Sequence, residues 1–447
     1  MTQTRSLVLR HRAWITPLCW IAVMLDGFDA VVLGAAMPML IDDPNLAVDA
    51  ATGTFIATLG LFGMMLGALA MGWATDRFGR RKLLIGAVIA FSILTFATGF
   101  VNDPYTMAVL RFAAGVGLGG CLPTAISMMT EFSPSHRGSF ATTLTMTGYH
   151  VGAVLTALLA LLVAQEGGGG WREMFIIGGL PSLILVPLMI IFLPESPDYL
   201  ASHGRLEDAK KVANHYGIEL DPMHLDGSVP AGQAAVGTKL LLAKPFVRNT
   251  VLIWVASFMG LLLVYGLNTW LPQIMRAAEY DLGNALGFLV ILNLGGIIGL
   301  LVAGWIGDRI TPRIAGIIWF LGSAALLAAL AIKLPLLGVY VLIFVTGAFV
   351  FSSQVLVYAF VAANHPSRVR ATALGGSAGV GRLGAISGPI VGGTLLGAGL
   401  AYPWGFFAFA IVGLIGGIAL SGTKTRTKDE LATGVLDTLE RAELDRK

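Results

Sequence analysis

The chain repeats itself. GWATDRFGRRK beginning at Gly72 returns as GWIGDRITPR beginning at Gly304, an offset of 232 residues in a chain of 447. The offset holds elsewhere: Pro134 and Ser135 fall on Pro366 and Ser367, Phe112 on Phe344, Gly115 on Gly347 and His150 on Arg382. Each copy follows a long apolar run and supplies Gly, Asp, Arg and a second basic residue, which is the make-up of a tight basic turn between membrane helices. Halves that repeat in this way constrain the chain to two related helix bundles.

Composition excludes a soluble domain. With 56% hydrophobic residues, 12% charged and a mean hydropathy of +0.79, the chain carries more apolar surface than a water-soluble core can hide. Twelve apolar runs are each long enough to cross a hydrocarbon core of ~30 Å as a helix. They cover 14–37, 53–75, 83–101, 104–130, 139–164, 171–193, 247–271, 284–306, 313–332, 336–362, 371–398 and 402–421. The expected fold is therefore an all-α membrane protein of twelve transmembrane helices in two pseudo-symmetric six-helix bundles. Residues 1–193 form the first bundle, 194–246 a linker, 247–421 the second bundle and 422–447 a tail. Within the linker, Leu206 to Tyr216 reads as a short amphipathic helix lying on the membrane surface, and the tail reads as partly helical.

Basic residues set the orientation. Lys and Arg near helix ends stay on the cytoplasmic side. With both termini inside, only Arg172, Arg276 and Lys333 of the 29 basic residues fall outside, and Arg111 and Arg382 fall within helices. The net charge of +3 follows this topology and is not a nucleic-acid footprint. The first apolar run has the basic flank of a signal peptide, yet it is too long and contains Asp26 and Asp29, so it reads as a retained helix. Cys19 and Cys121 sit in separate helices and make no disulfide framework. No metal or cofactor motif is present, and no nucleophile is paired with a base, so the chain does not read as an enzyme.

Several motifs carry a resemblance. The basic turn and its repeat, Arg111-Phe112 followed by Gly115, Gly117 and Gly119, and Pro194-Glu195-Ser196-Pro197 are similar to marks of the major facilitator superfamily. LDGFD from Leu25, FMGLLLVYGLNTWLP from Phe258 and RATALGGSAGVGRLGA from Arg370 resemble the aromatic acid:proton symporters within it. The resemblance covers the whole chain. It implies import of benzoate or hydroxybenzoates with protons by alternating access, in a monomer of the bacterial inner (cytoplasmic) membrane with both termini cytoplasmic. The second turn departs from the pattern, with Thr311-Pro312 where the first has Gly79-Arg80.

Charges kept inside apolar helices cost enough to mark a path or a partner. At 1.5 Å per residue, Asp26, His150 and Arg382 each lie ~17 Å from the cytoplasmic side, at one level. Asp29 and Arg111 lie nearer the outer side and are placed to pair. Asp26 and Asp29 share a helix face. Two carboxylates so close cannot both ionise cheaply, so one is expected to hold a proton, with Asp29 favoured; the other reading makes them permanent partners of Arg111. Arg382 has the planar fork for a substrate carboxylate, or it braces the helices against Asp26. His150 is a candidate proton relay or ring-hydroxyl partner. Phe258, Tyr265, Asn268 and Asn293 are candidates for the ring pocket, with Gln354 weaker, and Trp270 reads as part of an outer aromatic belt.

The superfamily resemblance implies that the basic turns gate. In the first half, Gly72, Asp76, Arg77, Arg80 and Arg81 would work with Glu131 and Arg137; in the second, Asp308, Arg309 and Arg313 with Arg368 and Arg370. Three other readings stand beside symport. A proton-linked exporter is disfavoured because the fifth helix, TGYHVGAVLTALLA, lacks proline. A sugar importer is suggested by PESPDYL, and a membrane sensor of aromatic acids finds no signalling domain in the tail.

Overall fold

The computed structural model describes residues 2–46, 48–133, 138–164, 170–218, 247–365 and 367–425; within these, the side chains of 2–13, 71–73, 76, 138–143, 202, 308 and 367–372 lie outside the description. Among the described residues all regular secondary structure is helical. The first unit contains α1 (Thr2–Asp42), α2 (Ala50–Phe78), α3 (Arg80–Thr98), α4 (Pro104–Glu131), α5 (Gly138–Val163), α6 (Trp171–Gly179), α7 (Ser182–Phe192), α8 (Pro197–Ser202) and α9 (Leu206–Tyr216). Then follow α10 (Val247–Ala277), α11 (Leu282–Ile310), α12 (Pro312–Ala329), α13 (Leu336–Asn364), α14 (Ser367–Gly397) and α15 (Trp404–Ser421), all in the second unit except α11 up to Val290. The compact units comprise Met1–Val229 with Tyr280–Val290, and Pro230–Glu279 with Ile291–Lys447.

Helix starts follow local chemistry. Asp49 accepts the Thr52 amide at 2.7 Å, and Asp103, just before Pro104, accepts the Thr106 amide at 2.8 Å. Asp281 does the same for Asn284 at 2.9 Å. A carboxylate on an orphan amide satisfies a donor the helix cannot, and Pro at the first position loses nothing there. These bonds outweigh the small cost of burial and hold all three carboxyls below the usual aspartate value.

Eleven helices among the described residues have the length and hydropathy of a span. The twelfth expected span is one continuous helix, α14, whose glycines, Ser377 and Arg382 dilute its apolar content. The expected span 171–193 is present as one apolar stretch, Trp171–Phe192, within which the helix hydrogen-bond ladder is interrupted between α6 and α7 at Leu180-Pro181. Pro181 has no amide hydrogen to continue the ladder, while Leu180 and Pro181 both keep right-handed helical dihedrals, so α7 runs on from α6. The helix expected at Leu206–Tyr216 is present, with Ala209, Ala213 and Tyr216 buried and the Tyr216 ring edge-on to Phe132 at 5.3 Å.

The repeat is visible contact by contact. A methyl added to Gly63 would overlap the Phe112 carbonyl, one on Gly67 the Val116 carbonyl, and one on Gly115 the Gly60 carbonyl. Shifted by 232, Gly295 meets Phe344, Gly299 meets Ala348 and Gly347 meets Leu292 in the same way. Small residues let α2 approach α4, and α11 approach α13, to backbone contact, where dispersion holds membrane helices together. Gly27, between the two aspartates of LDGFD, is where the α5 backbone crosses α1, and its missing side chain leaves room for Tyr149.

Candidate functional site

In the first unit the buried charges separate into two groups. Arg111 on α4 donates to both carboxylate oxygens of Asp29, through Nη1 at 3.0 Å and through Nη2. Thr95 of α3 also donates its hydroxyl to Asp29, and the guanidinium lies 5.5 Å from the centre of the Phe175 ring. Both charged residues are 4% exposed. The pair expected from depth alone is therefore formed, and it takes up both Asp29 oxygens. Asp26, one turn away and 3% exposed, neighbours Cys121 of α4. His150 is also buried, its ring edge-on to Tyr149 at 5.4 Å, on the stretch of α5 that crosses Gly27. Sequence reading missed Thr95 and Phe175, since a hydroxyl and a ring on otherwise apolar helices give no signal of their own.

In the second unit, Arg382 on α14 donates from Nη1 to the Tyr265 hydroxyl of α10 at 3.1 Å. Asn293 on α11 donates to the Asn268 side-chain oxygen at 3.1 Å, while the Asn268 amide donates to the Val264 carbonyl, also at 3.1 Å. Tyr265 and Asn268, three apart, thus hold polar contacts to two different helices. Phe258 lies two turns before Tyr265, in an apolar groove with Trp254, Met259 and Val380. Gln354 on α13 is 4% exposed and fills the notch at Gly260, and Tyr358, one turn on, lies beside it and within electrostatic reach of Arg382. Tyr358 was not anticipated. Trp270 is a correction: it is fully buried and donates to the Pro389 carbonyl at 2.8 Å, so packing between α10 and α14 holds it, not an aromatic belt.

The basic turns differ in partner. Gly79 has φ 93°, and the Glu195 carboxylate occupies the space a side chain would fill there. Glu195 accepts the Arg81 and Ser196 amides, each at 3.0 Å. Arg80 pairs with Glu131, which also takes the Ser196 hydroxyl. Tyr199 donates to the Arg77 carbonyl at 3.2 Å. The Pro194-Glu195-Ser196-Pro197 motif therefore seats directly on the first basic turn. At the repeat position, Thr311 has φ 153° and caps α12 through its hydroxyl. Arg309 lies over the Trp305 ring at 3.9 Å, and Arg313 donates to the Ser421 carbonyl at 2.7 Å and to Thr423 at 3.1 Å. These two arginines of the second turn thus rest on an aromatic face and on a helix C-terminus. Arg137 lies outside the described residues, and at Gly72, Asp76, Asp308, Arg368 and Arg370 only the backbone is described.

A membrane-spanning helical protein that keeps ionisable and polar side chains buried in each of two repeated units belongs to the class of multi-pass transport proteins. Comparison supports this class. The sequence profile of the Major Facilitator Superfamily matches residues 19–375 and 294–437. A benzoate transport protein of Acinetobacter baylyi is 34% identical over 418 residues, spanning 90% of this chain and 89% of its own. A gentisate transporter of Corynebacterium glutamicum is 34% identical over 408 residues, covering 90% and 85%. Among solved structures, a bacterial homologue of the lysosomal transporter Spinster aligns with a TM-score of 0.74 at 18% identity over 92% of this chain and 97% of its own, and a D-xylose-proton symporter with 0.70 at 19% over 93% and 98%. The chain belongs to the major facilitator superfamily, in the group of benzoate and hydroxybenzoate transporter-like proteins, and it is a transporter, not an enzyme.

Proposed function

We propose that the protein imports a small aromatic carboxylate together with protons across the bacterial cytoplasmic membrane by alternating access. The observation that carries this reading is the Arg382–Tyr265 bond within membrane helices. A guanidinium oriented by a phenol presents a planar fork that suits a carboxylate. The names of the relatives supply the aromatic ring, and Phe258, Asn268 and Asn293 supply apolar and amide surface for it. Proton handling within the first unit uses His150 and a carboxylate of α1. Asp29 was the favoured proton carrier from sequence, but Arg111 occupies both of its oxygens, so we assign the proton to Asp26 and a bracing role to Asp29 and Arg111. The basic turns face the cytoplasm, as do both termini, the protein works as a monomer, and the Arg80–Glu131–Ser196 cluster acts as a gate that closes and opens between helix ends.

The test is uptake of radiolabelled benzoate and 4-hydroxybenzoate into proteoliposomes under an inward proton gradient. Accumulation that collapses with a protonophore and is lost in Asp26→Asn and Arg382→Ala is expected. Uptake indifferent to the gradient would remove the coupling, and exit of a preloaded acid driven by that same inward gradient would replace import with export.

A further inference from the structure

Gln354 is a buried amide with no settled partner. Its side chain sits on α13, 4% exposed, with the oxygen seated in the notch at Gly260 of α10 and the Phe320 ring alongside. Neither amide atom makes a hydrogen bond of good geometry; the neighbouring polar group is the Tyr358 hydroxyl. Tyr358 follows Gln354 by four residues, so the two share a helix face one turn apart, roughly 6 Å along the axis. Tyr358 in turn lies within electrostatic reach of Arg382 and of Tyr265. A polar row thus runs from the guanidinium through two phenols to the amide: Gly260, where the amide sits, precedes Tyr265, which holds Arg382, by five residues on α10, ~7.5 Å along the axis.

We propose that Gln354 reads a ring hydroxyl, so that the substrate is a hydroxylated aromatic acid in preference to benzoate. This rests on the reading of Arg382 as the carboxylate site. With the carboxylate on Arg382, a hydroxyl on the far side of the ring donates to the amide oxygen or accepts from the amide nitrogen, which carries both kinds of group. A buried amide whose one polar neighbour, Tyr358, is poorly aligned is better satisfied by ligand and discriminates, because an unsubstituted ring leaves it poorly paired. The apolar alternative at this position would cost nothing to bury, and it is absent.

The experiment is competition in proteoliposomes between labelled benzoate and unlabelled 3- or 4-hydroxybenzoate. The intact protein is expected to prefer one hydroxybenzoate by about tenfold or more. Gln354→Leu should bring that ratio to within about threefold of unity while benzoate uptake persists, and Gly260→Ala, which displaces the amide, should do the same. Thermal unfolding of the unliganded Gln354→Leu protein in detergent is the second readout. A midpoint equal to or above that of the intact protein agrees with an amide poorly paired in the empty protein, and a clear fall shows that the amide is structurally satisfied and overturns the proposal. An unchanged preference in Gln354→Leu, or no preference in the intact protein, overturns it as well while leaving Arg382 as the carboxylate site. Failure of the intact protein to move any of the three acids overturns both readings.

Discussion

Arg111 holds Asp29 from both ends of its guanidinium, and neither residue is more than 4% exposed. A charge pair of this kind gives little net stability over an apolar pair, since both ions lost their hydration, but removing one partner strands the other. Asp29→Asn and Arg111→Met alone are expected to destabilise the protein by about 3–5 kcal/mol each. The double variant should cost less than the sum. Thermal unfolding in detergent measures this. Additive costs would show that the two residues do not act as a pair.

The interhelix glycines make a second prediction. Gly63→Ala and Gly295→Ala, at repeat positions, each push a methyl into a carbonyl, of Phe112 and of Phe344. Both should cost about 1–3 kcal/mol, the range for overpacking. A methyl on Gly86 meets nothing within 4 Å, so Gly86→Ala should stabilise α3 by about 0.5–1 kcal/mol through backbone entropy alone. Unfolding midpoints of the three variants decide it. Equal behaviour of Gly63→Ala and Gly86→Ala would reject the packing argument.

Much of this was legible from sequence, and the exceptions have physical causes. The apolar runs put the starts of α2, α4 and α12 at 53, 104 and 313, within three residues of the helix starts that Asp49, Asp103 with Pro104, and Thr311 with Pro312 cap. The pairing of Asp29 with Arg111 was readable because charge in an apolar helix demands a partner. The break at Leu180-Pro181 was hidden inside an uninterrupted apolar run, where hydropathy outweighs a single proline. Thr95, Phe175 and Tyr358 carry no pattern. Their roles depend on which helix lies opposite, and that is a property of packing. Trp270 misled because a tryptophan near a helix end marks a membrane interface as often as it fills a core.

Acid should loosen one corner of the first unit. Asp43 follows α1, accepts the Trp171 indole hydrogen at 2.8 Å and the Asn45 amide at 2.9 Å, and lies near Arg172. Burial raises its carboxyl, but these donors together outweigh burial and hold it below the usual aspartate value of 3.8. A group depressed in the folded state stabilises it at pH values above its unfolded pKa, and that contribution is lost as pH falls through the folded one. Stability should therefore drop on acidification from pH 5 toward and below about 3.8. Asp43→Asn should flatten part of that drop. Trp171 fluorescence during thermal unfolding, followed at several pH values, reads it. An identical pH profile in the variant would exclude Asp43 as a contributor.

The first basic turn depends on a glycine for two independent reasons. Gly79 has φ 93°, where a side chain costs ~1–2 kcal/mol, and a methyl there would also displace the Glu195 carboxylate from the Arg81 amide. Thr311, its repeat mate, contributes an N-cap hydroxyl to α12, worth only a few tenths of a kcal/mol against glycine. If the seating of Glu195 and Ser196 on the turn is part of the gate, the two halves must respond unequally. Gly79→Ala should lower initial uptake by at least about tenfold, since 1.4 kcal/mol lost from one gate state already shifts its population by that factor. Thr311→Gly should stay within about twofold of the intact protein, in line with the small difference between threonine and glycine as caps. Uptake normalised to protein in the membrane makes the comparison. Comparable losses in both variants would mean that the turns serve only to join helices, and that the contacts of Glu195 are fastening and not gating.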